Sequence, residues 1–364
     1  MSELNALVGD ALREPLAAAR ARASAGARVV GYAGTAVPVE VILASDAHPI
    51  RLPAVANIDA TDADRYLESG FSPESRSIAA QYLGGEFAFM DRVVFPRNND
   101  SLQRLYYYIC ELQTRGLCPG PAPVIYELAA LPRDSSIRYS RRATERLAAE
   151  LGTGTANLRA AVDRRNRRRA LLARARRYRA QGRDLPGSAM DRICRAADLC
   201  DADRFDDAFD RWLTAAAVRA AGARVVLVGN GAPDDRIHRV VEAAGAEVVA
   251  EFGDHPACFV RTDPVPDATI ESISDHYQAW SPGSASLAER VSRLATLCAD
   301  VRADGVIIWL LEQEDARIWD VPAQLDALAA ARLPVLTFTR RTWLADDGAL
   351  DEIGAFSRRL AGGR

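Results

Sequence analysis

The sequence predicts an α/β protein of two similar doubly wound parallel-sheet halves, Rossmann- or flavodoxin-like, joined by a helical middle segment. Three observations carry this. First, four continuous apolar runs are each followed by a small or polar loop and then a helical pattern: ARVVGY from Ala27, DRVVFP from Asp91, ARVVLV from Ala223 and DGVIIWLL from Asp304. Strands buried on both faces of a parallel sheet read this way. Second, ARVVGYAGTAVPVEVILASDAHPIRL and ARVVLVGNGAPDDRIHRVVEAAGAEVV share the same plan, a strand, a glycine-bearing loop, a proline at the helix start, a helix and a second β-rich run. An internal duplication is the economical reading. Third, the chain has 364 residues, 49% of them hydrophobic, and single cores stop growing near ~250–300 residues.

These patterns divide the chain into an N-terminal α/β domain over 1–140, a helical segment over 141–221 and a C-terminal α/β domain over 222–364. In the helical segment Leu and Ala recur at helical spacing, with breaks at Leu151-Gly152, at Leu185-Pro186-Gly187 and near Asp201. Three or four helices are expected. In the second repeat Gly245 stands where a left-handed helix cap is wanted.

Composition excludes several chemistries. No lysine is present, so all 46 basic residues are arginine. A Walker A lysine, a pyridoxal Schiff base and a lysine general base are thereby ruled out. The six cysteines, at 110, 118, 194, 200, 258 and 298, show no CxxC spacing, which speaks against a zinc ribbon and a disulfide framework. The formal net charge is −3, giving no global nucleic-acid footprint. The run Asp163-Arg164-Arg165-Asn166-Arg167-Arg168-Arg169 lies within a helical pattern and reads as a solvated helix face. No apolar stretch approaches the ~20 residues of a membrane span, and the charged N-terminus is not signal-like. A cytoplasmic location with neither membrane nor nucleic-acid partner is expected.

In doubly wound sheets ligands bind beyond the carboxyl ends of the strands. The candidate ligand-binding residues are therefore Gly34 and Thr35 after the first strand, Arg97, Asn98, Asn99 and Ser101 after the second, and Gly229 and Asn230 after the third. Glu40, Asp100 and Glu314 are the candidate acid–base carboxylates at those loops. His255, in Gly253-Asp254-His255-Pro256-Ala257-Cys258, follows a β-rich run and joins them as a candidate base. The bland alternative is that Pro38 and Pro233 are first-turn prolines, that Asp100 or Ser101 merely caps a helix, that His238 is a surface or cap residue of a helix and that His276 lies in a loop. Gly229-Asn230-Gly231-Ala232-Pro233 lacks the third glycine of a dinucleotide fingerprint, so no nicotinamide site is expected. No metal site is formed by spacing alone.

These residues also resemble a known family. GYAGTAVPVEVILASDAHPIRLP is similar to the opening motif of 2-hydroxyacyl-CoA dehydratase and benzoyl-CoA reductase subunits, in which a cysteine follows Gly-Tyr and Pro-x-Glu opens a helix. VVFPRNNDSLQRLYYYI resembles their Cys-Asp-Ser motif, and DGVIIWLLEQEDARIWDVPAQL the last one, where Cys-Asp precedes Tyr/Trp-Asp-x-Pro. The resemblance implies an iron–sulfur cluster held by one cysteine from each of three loops, and electron delivery from an ATP-driven activator to a CoA thioester. Here the three places read Gly34, Asn99 and Glu314, none a thiolate donor. Tyr32, Pro38, Glu40, Arg51, Asp100, Ser101, Asp315, Asp320 and Pro322 keep the family frame.

Two functions follow as expectations. The chain is a cluster-free subunit of a dehydratase-type complex, with a homologous cluster-bearing subunit or a second copy of itself as partner and an acyl-CoA as substrate. Alternatively it is a non-redox acid–base enzyme on an acyl substrate in the same interdomain cleft. A non-catalytic scaffold is a third reading, disfavoured by polar residues at two of the three vacated positions.

Overall fold

The structure is a computed structural model describing residues 2–129, 131, 133–217, 222–279 and 284–363. Two helices, α1 (Ser2–Arg13) and α2 (Ala17–Ser24), precede the first sheet. The first half runs β1 (Val29–Tyr32), α3 (Val39–Leu43), β2 (His48–Arg51), α4 (Thr61–Asp64), α5 (Pro73–Leu83), β3 (Arg92–Pro96), α6 (Asp100–Thr114) and β4 (Ala122–Tyr126). Four helices follow: α7 (Asp134–Leu151), α8 (Leu158–Ala180), α9 (Gly187–Ala196) and α10 (Ala202–Thr214). The second half runs β5 (Ala223–Asn230), α11 (Arg236–Ala243), β6 (Ala246–Asp254), α12 (Ile270–Gln278), α13 (Leu287–Asp300), β7 (Gly305–Leu311), α14 (Val321–Ala330), β8 (Val335–Arg341) and α15 (Ala349–Gly362).

Both sheets are four-stranded and parallel throughout, in the orders β2-β1-β3-β4 and β6-β5-β7-β8. The orders are the same once the second set is renumbered, which is what a duplicated half requires. In each, the chain leaves the central strand to one side and returns on the other, so the crevice of a doubly wound sheet opens between β1 and β3 and again between β5 and β7. Every residue of β1 is buried, as are seven of the eight in β5. That explains why alternation is missing from their sequences.

Apolar clusters cover both faces of each sheet. Val29, Ile50, Val93 and Phe95 pack on one face of the first, and Val30, Tyr32 and Val94 on the other. A separate cluster joins α1, through Leu4 and Val8, to Phe205, Phe209 and Leu213 of α10. α7 crosses residue 140 and lends Ala143, Leu147 and Leu151 to the first half's core. The helix ends follow local rules. Ser72 caps α5 ahead of Pro73, Asn99 caps α6, Ser286 and Glu289 form a capping box on α13, and Gly245 takes φ +82° beyond α11. The cap of α6 is thus Asn99, one residue before the Asp100 or Ser101 that its sequence suggests.

The arginine run is not a solvated face. Within α8, Arg165, Arg168 and Arg169 are buried, as is Arg179 near its end. Each meets a carboxylate: Arg165 pairs with Asp198 at 2.9 Å, Arg179 with Glu251 at 2.8 Å, Arg168 with Asp206, and Arg169 with Glu40. Buried charges persist only when paired in this way. No helix among the described residues is long and apolar enough to cross a membrane.

Candidate functional site

At the first crevice the backbone turns sharply after Tyr32. Gly34 lies at φ +66°, and a Cβ there would stand 2.9 Å from Leu102 Cδ1. Thr35 is exposed beside it. On the facing loop Asn99 Oδ1 accepts the Leu102 amide at 3.0 Å, and Ser101 Oγ accepts the Ser72 amide at 2.9 Å. Asp100 is exposed and pairs with Arg104 at 3.0 Å, while Arg97 pairs with Glu127 at 2.6 Å. Asn98 is half-buried between them. The sequence-predicted residues do gather at one strand edge, but Asn99 and Ser101 are spent on holding α5 and α6 in place.

The second crevice is more tightly built. Gly229 has φ +107°, and a Cβ on it would fall 2.2 Å from Trp309 O; only glycine lets β5 approach β7 so closely. Asn230 then bridges the two loops, accepting the Leu311 amide at 3.1 Å and donating to Glu314 Oε2 at 2.9 Å. Glu314 Oε1 accepts the amides of Ala316 and Arg317 at 3.2 and 3.0 Å, and Oε2 also meets Arg317 Nη1 at 3.2 Å. Arg317 grips Asp254 with its other nitrogen at 2.7 Å. Glu314 is therefore a structural clamp with both oxygens engaged. The cavity left beside Gly229, Gly253, Arg317 and Asp320 measures about 40 Å³, room for water rather than a substrate.

Two further candidates lie in the interior. Glu40 is fully buried, paired with Arg169 and accepting from Tyr277 Oη at 2.9 Å. Burial alone would raise its carboxyl pKa, but Arg169 and Arg165 hold it below the usual carboxylate range, so it is a fixed anion unsuited to trading protons with a substrate. His255 is 1% exposed, and its Nε2 has no hydrogen-bond partner among the described residues. Burial pushes the ring down to about 4. It faces the buried Glu251 and His238. His238 is thus not on the surface: it is 3% exposed, with Nε2 3.2 Å from Glu251 Oε1. His276 lies on α12 rather than in a loop. Cys258 donates to Glu251 O at 3.2 Å and burial pushes its thiol up to about 11, which leaves no thiolate there.

Where the halves meet, the structure brings Arg51, which motif reading named only as part of the family frame, near Glu74 and Phe259, which it passed over. Glu74, in the first turn of α5, is half-buried and has no hydrogen-bond or ion-pair partner among the described residues. Burial raises its carboxyl, Arg51 opposes that, and Asp254 of the second half adds to it. Arg51 ends β2 and lies with its guanidinium carbon 4.0 Å from the ring centroid of Phe259, which follows β6. Tyr32 and Asp198 feel the Arg51 charge, and Arg165 pairs with Asp198 at 2.9 Å. The only sequence signal for Glu74 is Ser72-Pro73-Glu74, which reads as a helix start and nothing more.

A wider open hollow of about 500 Å³ lies along α12, lined by Arg261, Asp263, Asp267, Glu271 and Asp275 among others. Its carboxylates would repel an anionic ligand. Among the described residues no group of three or more His, Cys, Asp or Glu is arranged to hold a metal ion.

Comparison with known proteins gives one family. The model of the 2-hydroxyglutaryl-CoA dehydratase D-component matches residues 35–356. No curated protein matches the chain.

Proposed function

The chain belongs to this dehydratase family over residues 35–356, and on that premise we propose that it acts as a cluster-free subunit of a dehydratase-type complex, binding an acyl-CoA thioester between its two halves. The observation that carries the proposal is the local use of the three positions where the family resemblance calls for cysteine. Gly34 sits in a left-handed turn that L side chains rarely adopt, with a Cβ there reaching 2.9 Å from Leu102 Cδ1. Asn99 caps α6, and Glu314 closes the loop after β7. An amide and a carboxylate are hard oxygen donors, and an iron–sulfur core requires thiolates. These residues do not fit a cluster, and no step of the chemistry is drawn through one.

A second reading, a non-redox acid–base enzyme, is favoured by Glu74. A half-buried carboxyl raised by burial is what a general acid needs, and Glu74 also feels the opposing charges of Arg51 and Asp254. The two readings part on a single preparation. The purified chain is expected to carry no iron or sulfide, to lack cluster absorbance, and to turn over acyl-CoA only when combined with a homologous cysteine-bearing subunit. Turnover by the chain alone favours the second reading, and stoichiometric iron overturns the first.

A further inference from the structure

We propose that the hollow along α12 is a binding site for a small organic dication, two ammonium groups joined by methylenes, held by Asp267, Glu271 and the ring of His276. Along α12, Ile273 and Tyr277 pack into the core of the first half. Glu271, Ser272, Asp275, His276 and Ala279 fall at helical spacing on another face of the same helix and line the hollow. The loop before the helix adds Asp263, Pro264, Pro266 and Asp267, and its prolines, with φ fixed, stiffen that wall.

The charge in this hollow is unbalanced. Four carboxylates line it against one arginine, Arg261. Two of the four are matched, Asp263 by Arg261 at 2.7 Å and Asp275 by Arg141 at 2.9 Å. Asp267 and Glu271 are exposed, and neither carboxylate has an ion pair or a hydrogen bond among the described residues. Glu271 acts on Arg141 only at a distance, and it stands one turn before Asp275, where like charges oppose each other on a helix. A cation seated between them relieves that repulsion.

Exposed acids alone attract any counterion, and His276 is what makes the hollow selective. It is 8% exposed, yet it lines the hollow, and neither ring nitrogen has a hydrogen-bond partner among the described residues. A buried polar group left unpaired costs free energy, so an occupant that satisfies it is favoured. Burial, helped by the Arg169 charge, pushes the ring down to about 4. At neutral pH it is therefore uncharged and carries one bare nitrogen, which accepts an N–H from an ammonium group. The groups do not converge on one point, since no three of them among the described residues are arranged to hold a metal ion. A longer cation spans them, and Pro264 and Pro266 offer apolar surface to its methylenes. The volume, about 500 Å³, falls within the range of small-molecule sites, about 300–1,000 Å³.

The test is calorimetric titration of the full chain with 1,4-diaminobutane, 1-aminobutane and magnesium chloride at physiological ionic strength, about 0.15 M. The expected result is one diamine per chain, bound at least about tenfold more tightly than the monoamine. Asp267→Asn and Glu271→Gln, both at exposed positions, should each bring the diamine down towards the monoamine. His276→Leu should weaken both amines several-fold without changing how binding depends on salt, because it removes an acceptor and no charge; if it fails to fold, the two exposed variants carry the test. Magnesium displacing the diamine at equal concentration, or equal affinity for the two amines, reduces the hollow to an acidic surface and overturns the site. Unchanged diamine affinity in a folded His276→Leu overturns it as well. A lysine-rich peptide that binds where the diamine does not overturns the small-ligand assignment in favour of a polypeptide partner.

Discussion

At the scale of single residues, the chain hides its most consequential groups behind ordinary patterns. Arg168 and Arg169 are spaced like any exposed helical charge, and nothing local marks them as interior. Their carboxylates, Asp206 and Glu40, are 38 and 129 residues away. His238 misleads in the same way, since its partner Glu251 is reached only when α11 folds back on β6. His255 was legible as a residue near a strand end, but its burial was not. That burial has a measurable consequence. An unfolded histidine titrates near ~6.5, whereas burial lowers His255 to about 4. Between those values the unfolded state binds the extra proton, so stability falls as the pH drops through that window and levels off below it. For His255 the loss is on the order of 3 kcal/mol, and His276, also lowered to about 4 by burial, adds to it. Urea unfolding between about pH 7 and pH 4 should show this slope, and His255→Gln should flatten it. An equally steep slope in the variant would remove His255 from the account.

At the scale of elements, the apolar runs announce all four central strands, because a parallel strand must be apolar on both faces. Less visible were the edge strands and the use of polar loop residues as fasteners. Strand β8 exposes Thr337, Thr339 and Arg340, so its hydrophobic signal is diluted. Asn99, Ser101 and Glu314 have the composition of a site, yet caps and sites draw on the same residue types. Only the partners distinguish them. Gly34 is the informative case, since its backbone and Leu102 together decide which side chains can stand there. Gly34→Cys should cost about 1–2 kcal/mol from the left-handed backbone, with the Leu102 side chain shifting to admit the Cβ. Asn99→Cys should cost about 1 kcal/mol through the lost cap. The triple variant with Glu314→Cys is expected to unfold at lower urea and to assemble no cluster on reconstitution with iron and sulfide. A stable triple variant that took up a cluster would show that these loops retain a ligand geometry.

At the scale of the whole molecule, the two sheets share one strand order and are joined by α8 and by α12, whose Ile273 packs into the first half's core. α8, of 23 residues, places Arg169 against Glu40 of the first half and Arg179 against Glu251 of the second. The two arginines are ten residues apart, about 15 Å along the axis. Arg176 adds a hydrogen bond to Ala257 O at 2.6 Å. Pairs along α8 fasten both halves, so the seating of Arg51 on Phe259 depends on contacts that lie outside it. Removing one partner of a buried pair typically costs 3–5 kcal/mol, because the other charge is left without compensation. Sites this far apart with no shared partner should contribute nearly additively to stability, but their effects on cooperativity should differ. The parent chain is expected to unfold in one step, with tryptophan fluorescence, to which the second half contributes four of the five tryptophans including Trp309, and far-UV circular dichroism giving the same midpoint. In Arg169→Met the first half's grip on α8 weakens to the apolar packing of Leu158, Ala161 and Val162, while Arg179 still fastens the second half to that helix. The dichroism midpoint should then fall below the fluorescence midpoint. Arg179→Met should reverse the order by freeing the second half, where Trp309 resides. Coincident midpoints in both variants would mean that the apolar contacts of α8, rather than its arginines, couple the halves.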